Sequence, residues 1–118
     1  MSTPNLYDKR IFVASNNSSN GQVSDGTRFH YRQDGTVVWA EYTGGSIVKG
    51  FLIATVADDD SLDMRYQHVD TSGELRTGKC RSRPEKLADG RLRMHEMWQW
   101  TSGDLSEGVS TLEEVVEQ

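Results

Sequence analysis

This chain is poor in what would mark a secreted, disulfide-braced or membrane-spanning protein. Its 118 residues hold one cysteine, two prolines and 35% hydrophobic residues. A lone Cys80 excludes an internal disulfide and fits a reducing compartment. The opening MSTPNLYDKRIFVAS carries only a four-residue apolar run after its basic pair, too short for a signal peptide, and the longest apolar-leaning run, Phe51 to Ala57, falls well short of a bilayer. Acidic residues outnumber basic ones 18 to 13, so nucleic acid is not an expected partner on charge. The expectation is a cytoplasmic protein of one domain over residues 1–118, with no membrane association.

Recognisable catalytic motifs are missing as well. His30, His68 and His95 are scattered, without HExxH, CxxC or a close histidine pair, so no metal site is expected. The run from Asp58 to Asp63 looks like a calcium loop until it is counted through: its sixth position is not glycine, and Val69 stands where the bidentate acid belongs. There is no G-x-S-x-G elbow, P-loop or dinucleotide fingerprint, and no cofactor is expected.

Turn signals, by contrast, are plentiful. Asp34-Gly35, Gly44-Gly45, Asp58–Ser61, Thr71-Ser72-Gly73, Asp89-Gly90 and Ser102–Asp104 punctuate the chain. The intervening runs are rich in β-branched and aromatic residues with period two. They predict strands near 9–15, 27–33, 36–43, 46–57, 62–70, 74–87, 91–101 and 105–116, with residues 1–8 a disordered terminus and 15–26 a flexible loop. A terminal helical turn over 112–118 is the alternative at the end. Eight antiparallel strands remove their edges by closing, so the fold class is all-β, an eight-stranded antiparallel up-and-down barrel.

If each turn sets a hairpin register, one face can be traced inward. Tyr31 pairs with Val38, Tyr42 with Ile47, Phe51 with His68, Tyr66 with Gly78 and Met64 with Cys80, while Asp63 meets Arg81 outside. The Asp89-Gly90 hairpin would pair Leu87 with Leu92 and reverse the facing, which a bulge at Pro84 would restore. Leu92, Met94, Glu96, Trp98 and Trp100 then all point inward, and Trp98 sits over Gly108.

The two ends of such a barrel differ. Val38, Leu62, Met64, Leu92 and Leu112 make one end dry and closed. The other collects three turns and the polar segment SNNSSNGQVSDG, long enough to act as a lid. Tyr42, Lys49, Tyr66, His68, Arg76, Trp98 and Trp100 line that mouth, with Glu96 deeper. A barrel of this size can hold one small ligand, and an apolar pocket with a few convergent polar groups is the default binding site. The partner is then an unidentified small molecule, amphipathic or anionic. The same residues allow plainer roles: an internal Glu96–arginine salt bridge, a structural His68, a Lys49 reaching to solvent. They also allow an enzyme with His68 and Glu96 as acid–base groups. A third reading uses the surface, where Arg76, Lys79, Arg81, Arg83, Lys86, Arg91 and Arg93 form an outer basic stripe suited to RNA or an acidic protein.

The segments WAEYTGGSIVKGFLIATV, SLDMRYQHVDTSGELRTGKC and RLRMHEMWQWTSGDLSEG resemble a family of short bacterial proteins that often bear the name N-acetylglutamate synthase. The likeness runs from about Arg10 onward and brings no catalytic residues with it. It implies a fold similar to the calycin group, the lipocalin-like and streptavidin-like barrels, while the name implies acetyl transfer. The residues themselves lack the acetyl-CoA turn [QR]-x-x-G-x-[GA]: none of the eleven glycines is followed two positions later by glycine or alanine.

Overall fold

The computed structural model describes residues 2–24 and 26–116; Met1, Asp25, Glu117 and Gln118, which belong to the expected disordered terminus, loop and terminal turn, lie outside the described residues. Eight strands follow one another: β1 (Ile11–Asn17), β2 (Arg28–Asp34), β3 (Val37–Gly44), β4 (Ile47–Val56), β5 (Leu62–Asp70), β6 (Leu75–Lys86), β7 (Leu92–Trp100) and β8 (Glu107–Val115). Each pairs antiparallel with the next, and β8 returns to β1, so the sheet is a closed barrel. The fold class and the strand boundaries thus follow the alternation of the sequence to within a few residues.

Side-chain facing is where local sequence and tertiary structure part company. In β2 the buried set is Phe29, Tyr31 and Gln33, as the alternation predicts, but Tyr31 lies opposite Ala40 rather than Val38. The turn is centred on Gly35-Thr36, which moves the register by two and leaves every face unchanged. In β4 the facing is reversed. Gly44 pairs with Ile47, then Tyr42 with Gly50, so β4 carries an extra residue and both Val48 and Lys49 turn outward. A bulge of this kind flips all that follows. Gly50, Leu52 and Ala54 therefore face the core, while Phe51 and Ile53 are exposed.

The bulge expected at Pro84 does not form. The β6–β7 connection is a five-residue loop, Leu87–Arg91, with Lys86 opposite Leu92, so the even-numbered facing of β6 runs straight into β7. Strand β5 ends opposite Ser82, so Pro84 is paired only with β7, on its Met94 side, and its missing N–H leaves no ladder incomplete on the other flank. The inward set Leu92, Met94, Glu96, Trp98 and Trp100 is nevertheless as expected.

Three inward rings lie over glycines on the neighbouring strand: Tyr42 on Gly50, Tyr66 on Gly78 and Trp98 on Gly108. A Cβ at any of these glycines would overlap the ring above it, so the absent side chain is what lets a large aromatic lie flat against the wall of a narrow barrel. Two of these pairings are legible from register; the third waited on the β4 bulge.

The far end is closed as expected, and by more than expected. Val38, Leu62, Met64, Leu92 and Leu112 are all buried. Tyr7, from the segment expected to be a disordered terminus, is wholly buried beside them. Its N–H donates to Gln33 Oε1 at 2.9 Å, its hydroxyl to the Asp60 carbonyl, and Lys9 and Arg10 exchange backbone hydrogen bonds with Tyr31. Residues 4–9 form turns that stopper the barrel with an aromatic side chain. Among the described residues no helix is long and apolar enough to cross a membrane.

Candidate functional site

The open end contains a cavity of about 50 Å³ whose walls come from all eight strands. Strand alternation puts Trp98 and Trp100 on one face two residues apart, with ring centres 5.6 Å apart. Around Trp100 stand Tyr66 at 5.8 Å and His68 at 5.7 Å, both edge-on. Tyr42 meets His68 at 5.7 Å and stacks on Phe29 at 4.8 Å. Such edge and offset arrangements are the favoured geometries of aromatic pairs. The result is a continuous aromatic wall from β2 through β5 to β7.

Across the top of this wall runs residues 18–24, inside the stretch expected to form a lid. Trp100 Nε1 donates to the Asn20 carbonyl at 3.1 Å, and Asn17 Nδ2 to the Val23 carbonyl at 2.8 Å. Gln22 is the centre of the closure. Its amide nitrogen donates to Asp70 Oδ2 at 2.9 Å, which turns Oε1 toward His68 Nε2, 2.6 Å away. With that orientation His68 carries its proton on Nε2, and Nδ1 accepts from the Tyr42 hydroxyl at 2.9 Å. A chain of hydrogen bonds thus runs Asp70–Gln22–His68–Tyr42 across the mouth. The chain that follows the lid passes close to the β3–β4 turn, where Gly44 has a φ of 119° and a Cβ would collide with the Gly26 carbonyl.

Burial sets the charge states of this chain. Desolvation, helped by the Arg76 guanidinium, lowers His68 to about 4, so the ring is neutral near pH 7. Asp70, bonded by the Ser72 hydroxyl, the Gln22 amide and the Glu74 and Ser72 backbone N–H groups, is held well below the usual carboxylate range. Desolvation pushes the Tyr42 and Tyr66 hydroxyls and the Cys80 thiol far up, so all three stay protonated.

Glu96 lies deeper and is, among the described residues, the one acid lining the cavity. Ser110 Oγ donates to its Oε1 at 3.0 Å. Removal from water raises it to about 7, although the Ser110, Ser82 and Cys80 side chains beside it partly offset the rise. Ser82 stands opposite Glu96 on β6, close enough to favour the charge but with no hydrogen bond of good geometry: its Oγ and the Tyr31 hydroxyl are buried without a partner. Glu96 has no arginine partner, so the internal salt bridge that sequence allows is not made among the described residues.

Of the eight residues expected at this site, Tyr42, Tyr66, His68, Glu96, Trp98 and Trp100 line the cavity. Arg76 sits at the rim, its guanidinium 4.0 Å from the Trp100 ring centre, with Nε buried and unpartnered. Lys49 does not join them. The β4 bulge points it outward, where it lies 3.6 Å from Glu41 and over the Phe51 ring. Gln22, Asn17, Val23, Phe29 and Leu52 were not foreseen. A polar 12-residue loop predicts a lid but not which side chain turns down, and Leu52 was hidden by the unpredicted bulge. His68 and Glu96, considered together as an acid–base pair, are engaged separately, one with Tyr42 and Gln22 and the other with Ser110.

On the outside, the basic stripe is partly neutralised. Arg93 bonds Glu113 at 2.5 Å and lies 3.7 Å from Glu85, and Arg91 bonds Asp89 at 2.7 Å. A small closed barrel with an aromatic mouth is also what comparison with known proteins returns. The sequence profile of avidin-like proteins matches residues 5–115. The chain belongs to the avidin-like family. No curated protein matches it. In this avidin-like barrel the N-acetylglutamate synthase name finds no support. The streptavidin-like architecture implied by the same resemblance is the one observed.

Proposed function

We propose that this avidin-like chain is a binding protein that takes one small molecule into the cavity between Trp98, Trp100, Tyr42 and Glu96, beneath the lid formed by residues 18–24. The observation that carries this reading is the Gln22 side chain. It fills the mouth and satisfies His68 and Asp70, the polar groups an entering ligand would meet. A space of about 50 Å³ holds a few waters, so anything larger enters only as the lid lifts. The lid's polar contacts are then exchanged for ligand contacts, and the aromatic walls supply the apolar burial.

Among the described residues an anionic group on the ligand has Arg76 at the rim to meet, since Lys49 faces away. Apolar portions would lie against Trp98 and Trp100, and a polar head would reach toward Glu96. The Tyr42–His68 pair, with the ring neutral, can both donate and accept after Gln22 leaves.

The test is a titration of tryptophan emission against short fatty acids, small anions, glutamate, acetyl-CoA and biotin, members of the family being binders of small ligands such as biotin. Saturable change in the native chain, strongly reduced in Trp100→Phe, supports the reading. A silent panel, with Gln22→Ala equally silent, would overturn it, because that variant removes the plug without touching the walls.

A further inference from the structure

We infer that the floor of this cavity is built to receive a small organic cation, an ammonium, amidinium or guanidinium group, on the Glu96 carboxyl. The inference rests on the cavity being the ligand site and adds the chemistry of what it binds. The sequence-based expectation was the reverse, an anion gathered by Lys49, His68 and Arg76. The structure takes each of those cations away from the interior. Lys49 is outside, His68 is neutral and occupied, and Arg76 is held at the rim against Trp100. Among the described residues no lysine or arginine lines the cavity.

What remains inside is an acid without a counter-ion. Glu96 is sequestered from solvent, accepts from Ser110 and has the neutral Ser82 and Cys80 side chains beside it, so among the described residues no charged donor reaches the carboxyl. Directly across the β6–β7 ladder, Ser82 presents a buried hydroxyl with no partner, and Tyr31 supplies a second from β2. A buried carboxyl with neutral hydroxyls as its neighbours and no cation is costly to keep charged, and a cationic donor entering from the cavity would offset that cost. A cationic N–H group provides several donors in a compact shape. Trp98 and Tyr66 also line the cavity, and an aromatic face attracts positive charge where it would repel an anion.

The titration behaviour of Glu96 agrees with this geometry. With its carboxyl raised to about 7, the group is partly protonated near neutral pH. The other titratable groups that face it are Tyr31 from β2, Tyr42 from β3, Tyr66 from β5 and Cys80 from β6, all kept neutral by burial. Glu96 is therefore the charge that a cation would find, and the cation would drive its proton off.

Two pairs of near-isosteric probes test the inference: benzamidinium against benzamide, and guanidinium against urea at millimolar concentrations, each followed by tryptophan emission at pH 8. In the native chain at least one cation should bind about tenfold tighter than its neutral partner, the scale of a charge-assisted over a neutral hydrogen bond. In Glu96→Gln that preference should vanish, and in the native chain it should fade as pH drops from 8 to 5.5. Equal binding of cation and neutral probe, or a preference unchanged in Glu96→Gln, would overturn the cation reading and leave the cavity reading standing. Failure of all four probes, in the native chain and in Gln22→Ala, would overturn both.

Discussion

At the scale of single residues, two buried titratable groups pull stability in opposite directions with pH. The folded chain holds Glu96 at about 7 against an ordinary value of 4.5, so the fold prefers the protonated form. Its contribution is full below 4.5 and is lost as pH rises through 7. His68, held at about 4 against 6.5, works the other way: the fold prefers the neutral ring, and stability is lost as pH falls from 6.5 toward 4. Each span amounts to roughly 3 kcal/mol at most, so between pH 4.5 and 6.5 the two slopes largely cancel. Denaturant midpoints of Glu96→Gln should reveal this. The variant is expected to be about 1–3 kcal/mol more stable than the native chain at pH 8 and little different at pH 4.5. With the opposing Glu96 term gone, its stability should fall from pH 6.5 to 4.5, following His68. A native-like pH profile in the variant would contradict the burial assigned to Glu96. That Glu96 faces inward follows from the apolar alternation of β7, although the Pro84 bulge invoked to reconcile it with the hairpin register does not form; that it lacks a cation was not legible, because the competing arginines could be located only in three dimensions.

At the scale of elements, the ring-over-glycine pairs and the β4 bulge decide what the barrel can enclose. Gly108→Ala should cost about 1–3 kcal/mol, because a methyl there forces the Trp98 ring off the wall and overpacked cores lose stability on that order. Combined with Trp98→Leu, the loss should be well below the sum, as expected for groups in direct contact. Leu52 and Phe51 offer a matching contrast on β4. Leu52→Ala should cost about 2–4 kcal/mol as a buried deletion, and Phe51→Ser should change stability by less than about 1 kcal/mol despite the larger ring removed. The reverse order would restore the facing that simple alternation predicts. Hairpin arithmetic recovered the β5–β6 register residue for residue, because both strands are unbroken between their turns. It failed at β3–β4, where two adjacent glycines leave the turn position open and one inserted residue reverses a face.

At the scale of the molecule, the barrel is stoppered at one end by Tyr7 and lidded at the other by Gln22, and both closures come from segments without regular structure. Tyr7→Ala should cost about 3–5 kcal/mol, the range for emptying a buried aromatic site, and chemical unfolding of that variant checks it. Composition pointed to a loose terminus because a lone tyrosine among polar residues has no periodicity to read. The same holds for the lid, whose length was informative and whose single inward side chain was not. The outer surface carries its own exposed apolar group in Trp39, Phe51 and Ile53, placed by register on adjacent positions of β3 and β4. One measurement separates an interior from an exterior mode of action: an NMR titration of the 15N-labelled chain with any molecule that alters its tryptophan emission. The account predicts that the Trp100 indole N–H and the Gln22 side-chain amide shift first and saturate together, while the Trp39 indole does not move. Shifts confined to Trp39 and its β4 neighbours, with Trp100 and Gln22 unchanged, would contradict it.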